Sequence, residues 1–359
     1  MQMLAREEKE TAERLVAHCL AYPHIQPEDA FKFLFQSAFG CEHMVTDEAT
    51  VLTRIRLEYE ALSATDGYRV EPLDGQYSRV PLSYLSHGLK AETLARIFCL
   101  SAQDEPMGKA ALLQKLCVAQ ELMAQGRLPF DRAVFEKKLK EWEKEDYAAL
   151  HHSDGFRLAY RPAYRVIANR YADCLPLFAQ IDALSNRESV VVAIEGGSAA
   201  GKTTLARTLS QVYDCNVFHM DDFFLRPVQR TSQRLAEVGG NLDRERFAEE
   251  VLLPLQNREA VCYRRFDCQT QTLTAPVTLP HKKLTVVEGV YSTHPFFEKY
   301  YDLSVFLDVD PQLQRERIAK RNAPCIAQRY FEEWIPMEER YFSCMQVKSR
   351  CSLFMILAP

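Results

Sequence analysis

The sequence predicts an α/β domain in its second half, a parallel sheet with helices on both faces, preceded by a mainly α-helical domain. Three observations lead there. A β-branched run, Val190 to Ile194, passes through Glu195 into Gly196-Gly197-Ser198-Ala199-Ala200-Gly201-Lys202-Thr203-Thr204, and Leu205-Ala206 then continues with a helical pattern. Further apolar runs of strand length follow at Asn216 to Met220, Leu284 to Val290 and Leu303 to Leu307, with helix-length segments between them. Residues 1–185 instead carry apolar side chains at three- and four-residue spacing. With 359 residues the chain is long enough for two or three domains. The polar break Ser185-Asn186-Arg187-Glu188 sets the expected boundary, giving domains 1–185 and 186–359.

Composition narrows the class. Hydrophobic content of 47% and charged content of 26% suit a globular core, and no apolar run approaches the length of a bilayer span, so no membrane partner is expected. The first ten residues are charged where a secretion signal needs its apolar stretch, which points to the cytoplasm. Eleven cysteines occur without a C-x-x-C pair and read as reduced, small side chains. A net charge of −5 argues against nucleic acid as a main partner and leaves the oligomeric state open.

In chain order, Thr11 to Leu20 continues an amphipathic start, and Pro27 to Phe39 opens with Pro in a first turn and stops at Gly40. Thr46 to Leu62, Ala91 to Ala102, Lys109 to Ala124 and Asp131 to Leu150 repeat the helical pattern. Asp74-Gly75, between Tyr68 to Val70 and Tyr77 to Val80, signals a hairpin. Glu42 and His43, His151 and His152, and the pair Arg161 and Arg165 are chemically unusual clusters. They are candidates for a metal or an anionic ligand, with capping and loop-anchoring as the bland alternative.

The glycine-rich loop is the strongest signal. Gly196, Gly197 and Gly201 let backbone N–H groups turn inward, so that residues 196–204 and the helix N-terminus form an anion cradle. Lys202 supplies a charge for nucleotide phosphates and Thr203 a hydroxyl for Mg²⁺, which makes ATP and Mg²⁺ the expected cofactors. The run Asn216 to Met220 ends in Asp221-Asp222, and ligands of open α/β sheets lie at carboxyl strand ends, so Asp221 can meet a phosphate acceptor. Glu288, at the end of another run, is a carboxylate placed for the metal. Arg226 to Asn241, including Arg234, reads as a mobile loop over a substrate pocket, followed by a helix from Leu242 to about Leu255. Tyr263 to Asp267 then starts a hairpin that ends near Pro280. Pro311 to Asn322 is a helix whose Arg317 and Arg321 share a face, suited to a lid over a transferring phosphoryl group, and Leu353 to Leu357 is a candidate last strand.

Gly196 to Thr204, Met220 to Phe224, Gly239 to Asp243, Val287 to Tyr291 and the Arg317 to Arg321 helix together resemble the uridine kinase branch of the P-loop kinases. The resemblance covers about 170 residues, the C-terminal half. It implies a P-loop kinase-type sheet, Asp221 as base for an acceptor hydroxyl, Thr203, Asp221 and Glu288 near the metal, and Lys202, Arg317 and Arg321 on the transferred group. It also implies Asp243 and Tyr263 near a small-molecule acceptor; Arg234 and Asp267 complete the candidate acceptor residues. The segment after Tyr263 lacks the histidine that uridine kinases place near the base, and the gap from Lys202 to Asp221 is short, so the acceptor stays unspecified. A nucleotide switch or sensor, with the N-terminal domain binding the ligand, is the competing class. It wants a guanine-reading Asn-Lys-x-Asp, which the sequence lacks.

Overall fold

The computed structural model describes residues 2–41, 47–62 and 69–357, and divides into two units, Met1–Asp182 and Ala183–Pro359. Glu42, His43 and Tyr68, singled out above, lie outside the described residues.

The first unit is mainly helical. Pro27–Phe39 starts where Asp29 accepts the Gln26 N–H at 3.0 Å and ends at Gly40, where φ is +60° and a Cβ would stand 2.6 Å from the Tyr77 ring. Glu48–Glu60 and Arg132–Lys144 are capped by Asp47 and Asp131, each accepting a backbone N–H one turn on. The second of these stops six residues before the predicted Leu150. Asp146 and Tyr147 turn to positive φ there, and Trp142 Nε1 donates to the Ala148 carbonyl at 2.7 Å. Phe31 stacks on Trp142 and meets Phe135 edge-on, which joins two helices into one core.

This unit also holds a sheet. Strands β1 (Glu71–Pro72) and β2 (Tyr77–Pro81) pair antiparallel around the Asp74 turn, whose carboxylate accepts from Gln76 N and Tyr77 N. A third strand, β3 (Tyr164–Ala168), pairs with β2. Sequence analysis expected no strand at 164–168, because Val166, Ile167 and Ala168 are too short an apolar run to set a period.

In the second unit, β4 (Val190–Gly196), β5 (Cys215–His219), β8 (Leu284–Glu288), β9 (Leu303–Asp308) and β10 (Leu353–Ile356) form one parallel sheet in the order β10-β9-β4-β8-β5. The hairpin β6 (Val261–Asp267) and β7 (Thr272–Leu279) stands apart from it. Every residue of β4 and β8 is buried, as both faces of a parallel sheet require. Register brings Ile194, Glu288 and His219 side by side at the carboxyl edge. The helix expected from Leu242 to Leu255 is Arg244–Phe247, a wider π turn at Ala248–Leu252, then Leu253–Gln256. Pro254 explains the widening, since its ring and missing N–H disrupt the preceding turn, and Pro336 follows the π turn Tyr330–Trp334 in the same way. No described helix is long and apolar enough to cross a membrane.

Candidate active site

The loop between β4 and the helix Lys202–Val212 needs its glycines. Gly196 has φ +147°, and a Cβ on it would lie 2.4 Å from the Leu307 carbonyl oxygen of β9; Gly201 caps the helix at φ +103°. Lys202 Nζ curls back to the Gly196 and Gly197 carbonyls at 2.8 and 2.9 Å. Ala199 holds φ +59°. Gln314 and Arg317, three apart on the helix Pro311–Arg321, donate to the carbonyls of Ser198 (2.8 Å) and Ala199 (3.2 Å). Arg317 therefore bears on the loop itself, while Arg321 lies over the Tyr330 ring and within the field of Asp221.

Thr203 Oγ1 donates to Glu288 Oε1 at 3.0 Å, and His219 Nδ1 meets the same oxygen at 2.6 Å. That bond raises the His219 pKa against the opposing effect of burial. Glu288 is pulled below the usual carboxylate range, because His219, Lys202 and Thr203 together outweigh its burial. Asp221 sits in the short turn Met220–Phe223 after β5. Its side chain is open to water, with enough protein nearby to disfavour the charged form. Burial raises its pKa and Glu288 adds to this, against Lys202, His219 and Arg321. Asp222 is also raised, chiefly by burial, and faces Arg265 at 3.7 Å. The structure thus groups Lys202, Thr203, Asp221, Glu288 and Arg321 around one sheet edge.

Three carboxylate and imidazole groups here were not anticipated. His219 pairs with Glu288 across adjacent strands. Glu338, 6% exposed on the helix Ile335–Cys344, accepts from Ser198 N at 2.8 Å and from Ser198 Oγ. Glu195, fully buried, accepts from Gly196 N (2.9 Å), Thr293 N and Oγ1 (3.1 Å) and Tyr341 OH (3.0 Å), and burial pushes it up to about 7. A glutamate closing a β-branched strand was the available signal for Glu195. Glu338 gave none, since its partner lies 140 residues away.

No family model matches the chain. The curated uridine kinase of Chlamydia pneumoniae is 26% identical over 171 residues, covering 42% of this chain and 75% of that protein. This chain resembles the uridine kinase branch of the P-loop kinases. Among solved structures, one from Bacillus stearothermophilus described as a possible uridine kinase is 23% identical, with TM-score 0.39, covering 50% of this chain and 99% of that one. The shikimate kinase of Bacteroides thetaiotaomicron is 15% identical, with TM-score 0.25, covering 47% and 86%.

Within the second unit, each of the four expected acceptor residues has partners of its own in the protein. Tyr263 is 1% exposed and packs on Phe218 and Phe223, so it is a core ring. Asp243 caps the helix Arg244–Phe247 and bonds Gln229 and Arg246. Arg234 clamps the carbonyls of Gly240 and Leu242 and the carboxylate of Glu245, which staples the loop expected to be mobile. Asp267 caps its own turn through Gln269 N and Thr270 N. From the β6–β7 hairpin, Arg265 meets Asp222 at 3.7 Å, and Cys268 lies within electrostatic range of the Asp221-Asp222 pair.

Among the described residues, the N-terminal clusters do not converge either. His152 is buried between Asp29 (2.9 Å) and Tyr164 OH (2.7 Å), whereas His151 is exposed. Arg165 makes a two-pronged pair with Glu58, and Arg161 is exposed, so the expected arginine pair is not formed. Among the described residues, no group of three or more His, Cys, Asp or Glu is arranged to hold a metal.

Proposed function

We propose that the chain is an ATP-dependent phosphotransferase that moves the γ-phosphoryl group to a hydroxyl of a nucleoside-like or other small metabolite, with residues 186–359 as its kinase domain and 1–185 as an accessory helical domain. The observation that carries this reading is the convergence of Lys202, Thr203, Glu288 and Asp221 at the carboxyl edge of one parallel sheet, with Thr203 and Glu288 in direct contact at 3.0 Å. Residues 196–204 would cradle the nucleotide phosphates, with Lys202 leaving its two carbonyls for the β and γ oxygens. Thr203, Glu288 and Asp221 are hard oxygen donors of the kind Mg²⁺ takes alongside phosphate oxygens, and the ion would neutralise charge on those oxygens. Asp221 would take the acceptor's hydroxyl proton. Its raised pKa suits a general base better than an ordinary aspartate, and its accessibility leaves room for an acceptor. Arg317 and Arg321 would offset charge on the transferred group. Free cysteines and ATP use fit a cytoplasmic setting. ADP release measured against a panel of nucleosides, sugars and vitamins tests the reading: one acceptor should stimulate release strongly, and a flat panel with no ATP turnover would overturn it.

A further inference from the structure

The N-terminal unit contains a second built site. A cavity of about 330 Å³, the size of small-molecule sites, is lined by Tyr22, Glu71, Arg79, Phe156, Tyr160 and Arg161 among others. Three of its rings, Tyr22, Phe156 and Tyr160, stand in mutual contact with centroids 4.8 to 5.0 Å apart. Tyr160 OH is fixed by the His24 N–H at 2.8 Å, so the aromatic wall is set before any ligand arrives.

The polar end of the cavity is unusual. The Arg79 side chain is 4% exposed and lies between the Phe33 and Tyr164 rings, with Nη1 donating to Glu71 at 3.0 Å and Nε to Gln36 at 2.8 Å. Its Nη2 has no hydrogen-bond partner among the described residues, and neither has the neighbouring Gln36 Nε2. A buried guanidinium with an idle donor is costly to keep, and it leaves the positive charge of Arg79 only partly compensated at this end of the cavity. Glu71 is already shared between Arg79 and His18, which it meets at 2.6 Å. Arg69 and Arg161 add two more cations to the lining. Three guanidiniums against one engaged carboxylate select an anion, and exclude a cationic guest for the aromatic wall.

We propose that this cavity binds a small aromatic anion: a flat ring against Tyr22, Phe156 and Tyr160, carrying a carboxylate or phosphate that sits in the positive field of Arg79, Arg69 and Arg161. The site is independent of the phosphotransferase reading and gives the N-terminal unit a ligand of its own.

Calorimetric titration of the full chain, with excess inorganic tripolyphosphate and Mg²⁺ present to fill the phosphate loop without offering an aromatic ring, tests it with five probes: benzoate, phenyl phosphate, inorganic phosphate, phenol and trimethylphenylammonium. Benzoate or phenyl phosphate should bind at least about tenfold more tightly than phenol and than inorganic phosphate, as a charge-assisted contact added to ring burial requires, and the stronger of the two assigns the anionic group. Arg161→Gln, a surface change, should weaken that binding about tenfold or more and leave thermal unfolding unchanged. Arg79→Lys should weaken it further if the variant folds; the Arg161 result stands without it. The proposal is overturned if neither aromatic anion binds at up to about 10 mM, well above a millimolar Kd. It is equally overturned if phenol or the ammonium probe binds as well, or if Arg161→Gln has no effect.

Discussion

Replacing Glu195 with Gln should change how the second unit's stability depends on pH. The carboxyl is fully buried under the phosphate loop, and burial pushes it up to about 7 against 4.5 for an ordinary glutamate, despite four donors that favour its ionised form. Between those values the folded protein keeps a proton that the unfolded chain has lost. The resulting stabilisation is present in full below pH 4.5 and disappears as pH rises through about 7. The gap corresponds to about 3 kcal/mol. Gln cannot titrate, and whatever its amide costs against the Thr293 and Tyr341 donors is the same at every pH, so slopes isolate the effect. Native-state hydrogen exchange on β4 peptides, corrected for intrinsic rates, reads this unit alone. From about pH 5 to about pH 8 the wild type should lose about 2–3 kcal/mol more than the variant. Slopes that agree within about 0.5 kcal/mol would refute the reasoning.

Lys202→Ala should lower turnover at least about 100-fold with the fold intact, because its Nζ is bound to two loop carbonyls and not to the core; retention of a tenth or more would count against the assignment. Asp221→Asn should abolish transfer and keep ATP binding, with Asp222→Asn milder, since Asp222 faces Arg265; kinetics in the reverse order would move the base by one residue. Glu288→Gln should raise the Mg²⁺ needed for half-maximal turnover about tenfold. The same change should drop the His219 pKa, followed by NMR, because Glu288 is what raises it. His219 accordingly adds stability below pH 6.5 that is lost as pH rises through its folded value, and an unchanged His219 titration in the variant would contradict this.

What the sequence made legible follows from local chemistry. The phosphate loop announces itself because glycines, Lys202 and Thr203 must be contiguous, and the parallel strands do so because burial on both faces leaves uninterrupted apolar runs such as Val190 to Ile194. The helix start at Pro27 was readable from its first-turn proline, and the helix beginning after Asp131 from its apolar spacing. Contacts set by tertiary packing were not. Glu338 reaches Ser198 across 140 residues, and Tyr263, which the resemblance puts near the acceptor, is packed against the Phe218 and Phe223 rings. Arg161 and Arg165 look like a pair in sequence. Arg165 is in β3 and meets Glu58, whereas Arg161 caps a helix at φ +43° before the strand begins. Of the three-stranded sheet, the hairpin turn at Asp74 and the strand after it were legible, whereas β3, which follows a proline turn, escaped notice.

The central claim is that the phosphate loop and Asp221 together transfer a phosphoryl group, and the most direct measurement follows the label of γ-³²P-ATP. With the full chain, Mg²⁺ and the acceptor that stimulates ADP release, the label should appear in an organic phosphate ester, and Asp221→Asn should eliminate that product while ATP still binds. Label found only as inorganic phosphate, or equal ester formation by Asp221→Asn, would contradict the account.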